Sequence, residues 1–230
     1  GIISAGVALH YLSDTQHDKV KHISSISRIE ENNHVWLDKF TLRNLELFSS
    51  QNEQAVTLID VIDHTHCPMG SRLLKRWLAL PLRDKKAIDE RLNSVEYFFN
   101  NKELRTELVK ILKNCGDLER LVSKLSVNRI NPREIVQLKY GLDTIDPLKL
   151  ICSQSPINEL NKIGDQLNNC KLLREKISSF LTDEPPVLLS KGNVIRKGVS
   201  SELDELRAIA YGGKDYLINI QNREAEATGI

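Results

Sequence analysis

The sequence predicts a mainly α protein: a multi-helical core ending in a long, lever-like helix, with a small β segment near the N-terminus. Three observations carry that prediction. From residue 55 onward, apolar residues recur at helical spacing in one segment after another. These segments are separated by helix punctuation, with Asp, Asn or Ser before the starts and Pro or Gly near the stops. Between residues 22 and 47 the period shifts towards two, the spacing of a strand with one covered face.

Taken in order, residues 2–16 read as a helix with Ala5, Ala8, Leu9 and Leu12 on one face. The pattern breaks from Thr15 to Asp18. In residues 22–47, Ile23, Ile26 and Ile29 are interleaved with Ser and Arg, Asn32-Asn33 gives a turn signal, and Val35, Leu37, Leu42, Leu45 and Leu47 follow. A small antiparallel sheet or extended segment is expected there, then a polar loop over 48–54. Residues 55–63 form a short helix. Pro68 opens the next helix, in a turn that does not need its N–H, and Pro81 closes it. Asp84 is placed to cap a helix running to about Phe99. Leu104, Leu108, Ile111 and Leu112 continue the pattern to Asn114-Cys115-Gly116, and Leu118, Leu121, Val122 and Leu125 mark a short helix. Asn131 caps another helix with Pro132 at its first position, carrying Ile135, Leu138, Leu142 and Ile145 inward. Pro147 and Pro156 read as breaks, followed by helical faces over 157–167 and 172–180. Pro185-Pro186 excludes helix interior, and Val187 to Arg196 around Gly192-Asn193 reads as a hairpin.

Ser200 or Ser201 caps the final helix, whose first turn is acidic. Leu203, Leu206, Ala210, Gly213, Leu217 and Ile220 are spaced 3, 4, 3, 4 and 3 apart, which is a heptad seam awaiting a partner helix. No second heptad segment of that length is evident in the chain. Gly212-Gly213 weakens the helix by about 1 kcal/mol per glycine. There is no initiator methionine, and the chain stops inside this helical pattern, so it is expected to be a piece of something larger. The seam is expected to be uncovered, with self-association or fraying beyond Gly212 as the consequence.

The stretch over residues 63–84 organises the rest. Leu73, Leu74, Trp77 and Leu78 form an apolar stripe, and Arg72, Lys75 and Arg76 lie on the other side. The stripe is expected to anchor the structural core. The basic face is a candidate DNA contact, or else a solvated, salt-bridged or interdomain face. The formal net charge is only +1, which argues against a dedicated nucleic-acid domain. No apolar run approaches the roughly 18 residues of a membrane span, and no signal peptide is evident. Cys67, Cys115, Cys152 and Cys170 are scattered, with no C-x-x-C pair, as in a cytoplasmic protein with reduced thiols.

Motifs that carry chemistry are absent. The glycine-containing stretch at Gly192–Gly198 lacks the spacing and the Gly-Lys-Ser/Thr of a phosphate-binding loop. His64 and His66 lack further nearby ligands, and the acidic residues Asp117, Glu119, Glu202, Asp204 and Glu205 read as helix starts or salt-bridged faces. No catalytic residue, cofactor site or metal site is expected in this chain.

Several segments together resemble the bacterial DNA mismatch-repair MutS family. They are Leu37 to Leu47, Asp63-His64-Thr65 through Pro68-Met69-Gly70-Ser71-Arg72-Leu73-Leu74-Lys75-Arg76-Trp77-Leu78 to Pro81-Leu82, Asp117 to Leu121, Pro185-Pro186, and Glu202 to Arg207. His66 departs from the family's more usual small polar residue. The resemblance implies dimeric ATPases that recognise mismatched double-stranded DNA through a mismatch reader, a connector, a helical core with levers, an inserted clamp and an ATPase domain. Residues 1–16 would be the end of the connector. Residues 17–230 would be the core, cut at about 222–230 where the clamp is inserted. ATP and magnesium would belong to a domain outside this chain, and the heptad seam would meet a returning lever helix. The implied whole is a cytoplasmic homodimer in DNA repair and the DNA damage response, with no membrane association.

Overall fold

The computed structural model describes residues 2–15, 23, 33–52 and 54–228. The described chain is mainly helical. Its helices are α1 (Ile2–Asp14), α2 (Lys39–Asn44), α3 (Leu58–Ile62), α4 (Pro68–Ala79), α5 (Lys85–Asn100), α6 (Lys102–Cys115), α7 (Leu118–Ser126), α8 (Pro132–Asp143), α9 (Ile145–Ser153), α10 (Asn158–Gln166), α11 (Lys171–Phe180) and α12 (Ser201–Thr228).

The body is built around α8. Leu138 (3% exposed), Leu142 and Ile145 form its buried centre, with Leu118, Leu121, Leu167 and Cys170 packed against them. Helices α6, α7 and α11 pack on α8, and α10 packs on α9. The start of α8 is fixed by a reciprocal cap. The Asn131 side chain accepts the Glu134 N–H at 2.9 Å while Glu134 accepts the Asn131 N–H at 3.1 Å, satisfying two donors the helix itself cannot. Lys124 reaches across from α7 to the same Glu134.

Two glycines set how closely the helices approach. A Cβ on Gly141 would lie 2.5 Å from both the Cys115 carbonyl oxygen and Leu118 Cδ2. A Cβ on Gly164 would lie 2.9 Å from Ser153 Oγ and 3.0 Å from Cys152 Cβ. Neither approach tolerates a larger residue without movement. Arg174 then clasps α11 to the α8–α9 corner, donating to Asp143 at 3.1 Å and Asp146 at 2.8 Å.

The expected β segment near the N-terminus is not found among the described residues. Residues 39–44 are helical because the Asp38 carboxylate accepts the Thr41 N–H at 2.6 Å and so caps α2. What is extended there is one isolated antiparallel bridge between His34 and Leu82. Val35 donates to the Pro81 carbonyl at 2.8 Å and Arg83 to the Asn33 carbonyl at 3.0 Å, so this segment straps the end of α4. Ile26 and Ile29 lie outside the described residues.

Three further expectations change. The hairpin over 187–196 is replaced by a single 3-10 turn, Leu189–Lys191, and Ile195 bridges to Leu181 instead of to its local neighbours. Gly192 and Asn193 both adopt positive φ, +66° and +55°, which a two-residue hairpin turn would also use, but Leu189–Lys191 coil before them and Ile195 pairs with Leu181, so no local ladder forms. Pro147 does not break the chain. It lies in the first turn of α9, where a missing N–H costs no helical bond. The short helix over 55–63 contracts to α3, because Thr57 and Asp60 cap each other and fix its start.

Candidate functional site

The 63–84 stretch folds as a polar corner. Asp63 ends α3, and its carboxylate accepts the Thr65 N–H at 3.1 Å, the Thr65 hydroxyl at 2.6 Å and the Ser71 hydroxyl. One carboxylate therefore ties the end of α3, the connecting turn and the first turns of α4. Pro68 begins α4 and needs no partner there. Gly70 keeps the corner tight, since a Cβ there would sit 3.3 Å from Thr65 Cβ. The Ser71 hydroxyl holds the Asp63 carboxyl below the usual carboxylate range, with Thr65 adding to the effect.

Arg72 carries the corner to the next layer. Its guanidinium donates to Asp117 at 2.6 and 3.0 Å and to Glu119 at 2.6 and 2.9 Å. Asp117 also caps α7, accepting the Arg120 N–H at 3.2 Å. The Arg72 side chain is the main reason the Asp117 carboxyl titrates below its ordinary value. Arg72 is thus shared by two acidic groups at the N-terminus of α7, where negative charge is already favoured.

The other candidate residues are placed differently. Lys75 and Arg76 are exposed, and Lys75 adds a smaller favourable charge to Asp60 and Asp63. Leu74 and Leu78 are half-buried, while Leu73 and Trp77 are 46% and 41% exposed. The α4 stripe is therefore not the buried centre, which lies at α8. Trp77 instead stacks beneath the Arg91 guanidinium, 3.8 Å from the ring centroid. It lines an apolar groove of about 730 Å³ shared by α4, α5 and α10.

The apolar seam of α12 is open. Leu203 and Gly213 are half-covered and Ala210 is exposed. Leu206, Leu217 and Ile220 are 57%, 66% and 40% exposed. Ile209, which the sequence reading left out of the seam, is 72% exposed on the same helix. Beyond Leu203, the described apolar side chains of α12 meet little of the body.

Sequence reasoning also missed Asp63 as the hub of the corner, and it missed Arg174, Arg196 and Arg207. The signal available for Asp63 was the Asp-x-Thr spacing, which favours a side-chain turn. Buried Cys115 and Cys152 have thiols pushed up by desolvation, which keeps them in the unreactive form. Among the described residues no cluster of three or more His, Cys, Asp or Glu side chains could hold a metal ion. Among the same residues no helix is long and apolar enough to cross a membrane.

Comparison with known proteins identifies this arrangement. A family model described as MutS domain III matches residues 40–228. The chain is similar over all 230 residues to proteins named DNA mismatch repair protein MutS. It is 53% identical to that of Bacteroides fragilis, 52% to that of Cytophaga hutchinsonii and 54% to that of Flavobacterium johnsoniae. It spans only 27%, 27% and 26% of the length of these relatives. With the family model covering most of the chain and the helical body and long terminal helix on view, the chain belongs to the MutS domain III family.

Proposed function

We propose that this chain is the lever, or transmission, domain of a mismatch-recognition ATPase, and that it couples nucleotide state to a DNA clamp without doing chemistry itself. The observation that carries the reading is α12. It runs 28 residues, about 42 Å at ~1.5 Å per residue, from a fixed root to an uncovered apolar stripe. A rigid rod attached at one end is suited to carry displacement. In this reading ATP and magnesium bind a domain elsewhere in the parent protein. Mismatched double-stranded DNA is held by the parent, which acts as a homodimer in the cytoplasm, and a returning helix covers the α12 seam.

The alternative is a direct DNA-binding module using Arg72, Lys75 and Arg76. The four short contacts from Arg72 to Asp117 and Glu119 support the lever reading, because they already use the guanidinium that would otherwise meet a phosphate. An independent scaffold for protein partners is a third reading, and no specific observation favours it.

The test is a Gly212→Pro substitution in the full-length protein, which kinks α12. ATP hydrolysis and DNA binding should each persist, while the effect of mismatched DNA on hydrolysis is lost. Unaltered coupling in a variant shown to carry the kink would sink the lever reading. A DNA titration of the isolated chain addresses the alternative. Binding that weakens by ~10³-fold or more between roughly 50 and 200 mM salt would show a phosphate-binding surface, and the lever reading expects none.

A further inference from the structure

The base of α12 is fastened by charge and hydrogen bonds rather than by apolar packing. Its first apolar residues beyond Leu203 stand in solvent, with Leu206 57% and Ile209 72% exposed. Against that, the Arg207 guanidinium, in the second turn, donates to the Ile195 carbonyl at 2.9 Å and to Asp204 at 3.2 Å. The other Asp204 oxygen accepts the Gly198 N–H at 2.6 Å. The Arg207 and Asp204 side chains are both mostly covered, at 22% and 21% exposure.

Arg196 makes the matching fastening on the other side. Its Nε donates to the Leu181 carbonyl at 2.6 Å, its guanidinium to Asp183 at 2.6 Å, and its backbone N–H to the Phe180 carbonyl at 2.8 Å. The Thr182 N–H returns to the Val194 carbonyl at 3.0 Å. Phe180 ends α11, and α11 lies on α8. Between the two fastenings stands Gly198, with φ at +88° and nothing within 4 Å of where a Cβ would be. That backbone conformation favours glycine.

We propose that the 181–198 segment is a conformational joint, with Gly198 as its pivot and Arg207 as the latch that sets the angle at which α12 leaves the body. The proposal rests on the lever reading above and deepens it. Arg207 is suited to the task because it spans the pivot, touching Ile195 before Gly198 and Asp204 after it. Its rigid planar fork presents two separate nitrogens to the two acceptors, whereas a lysine gathers its three donors on one rotating ammonium and matches the pair less well. Force applied along α12 would reach α8 through Arg207, the 195–196 backbone, Arg196 and the end of α11. Releasing Arg207 leaves the helix and the body intact and frees the angle between them.

The test uses the full chain with nitroxide amino acids incorporated at Glu175 on α11 and Ala208 on α12, both exposed and both before Gly212-Gly213. Pulsed dipolar spectroscopy should give one narrow distance distribution in the parent chain and a broad or shifted one in Arg207→Gln. Amide exchange at Gly198 and in the first turn of α12 should rise about tenfold or more, as expected when a bond to a charged group is lost, with α8 unchanged. Arg207→Lys, which keeps the charge but not the fork, should fall between the two. It decides the matter if Arg207→Gln fails to fold. An unchanged distance distribution, or exchange rising equally in α8, overturns the proposal. Unchanged distances would refute the joint and leave the lever reading standing. A freed joint in a full-length protein with intact coupling would refute the lever reading and leave the joint.

Discussion

The α8-centred body and α12 are both helical, but they are held by different physics. In the body, the centre of α8 is buried, its start is doubly capped, and neighbouring helices approach to the limit set by Gly141 and Gly164. In α12, the described apolar side chains beyond Leu203 are exposed, and two adjacent glycines lie within the continuous helix. Its order rests on its root and on its own backbone bonds. Helical secondary structure therefore says little about stability. What separates the two is the apolar area removed from water, and that separation suits a rigid base bearing a movable arm.

The contrast can be broken most directly by truncating one apolar side chain in each region. Leu138→Ala, at a site 3% exposed, should cost about 2–5 kcal/mol in denaturant unfolding. Leu217→Ala, at a site 66% exposed, should stay within about 0.5 kcal/mol in the isolated chain. Equal costs would mean that α12 is packed in solution and that the comparison is mistaken.

Glycine substitution should give opposite signs in the two regions. Gly141→Ala places a methyl 2.5 Å from the Cys115 carbonyl oxygen, a backbone atom, and should destabilise by about 1–3 kcal/mol. Gly213→Ala meets nothing within 4 Å and should strengthen α12 by about 0.5–1 kcal/mol, read as slower amide exchange beyond residue 212. A stabilising Gly141→Ala would show that the close approach at α8 is loose. Asn131→Ala removes the reciprocal cap of α8 and should cost about 1 kcal/mol, measured as a lower midpoint without a change in slope.

The smallest effect is expected at the polar corner, and it depends on pH. Asp117 and Asp63 titrate below their ordinary values, held there first by Arg72 and by Ser71 respectively. Their contribution to stability is therefore complete above the ordinary carboxylate pKa of about 3.9 and is lost as pH falls through the lowered values. Asp117→Asn should lower the neutral plateau of a stability–pH profile and leave stability at the acid end, below the lowered pKa, nearly unchanged, so that the acid limb flattens. A profile with an unaltered acid limb would remove Asp117 from the linkage.

Local grammar was legible in the sequence, while depth and distant pairing were not. The caps at Asp84, Asn131 and Ser200 fall where the residue types placed them, because a cap is made within three residues of itself. The α4 stripe was read as core because period alone cannot tell a half-covered face from a buried one, and the buried centre lies at Leu138 and Leu142 instead. Arg72 meets partners 45 and 47 residues away, a pairing that no local pattern encodes. Within the small sheet or extended segment expected over 22–47, residues 39–44 are helical instead, because the Asp38 cap outweighed an approximate alternation. The expected hairpin at 187–196 failed because Ile195 found its partner at the end of α11.

The two glycine contacts limit how the body can change shape. With Gly141 against the Cys115 carbonyl and Gly164 against Ser153, neighbouring helices have no slack along their shared surface. Sliding one past the other would drive a backbone or side-chain atom into a space that holds only hydrogen. Shear, one of the two common modes of domain motion, is therefore closed to the α6–α8 and α9–α10 pairs. Any displacement this body passes on must be passed on as the turning of a whole.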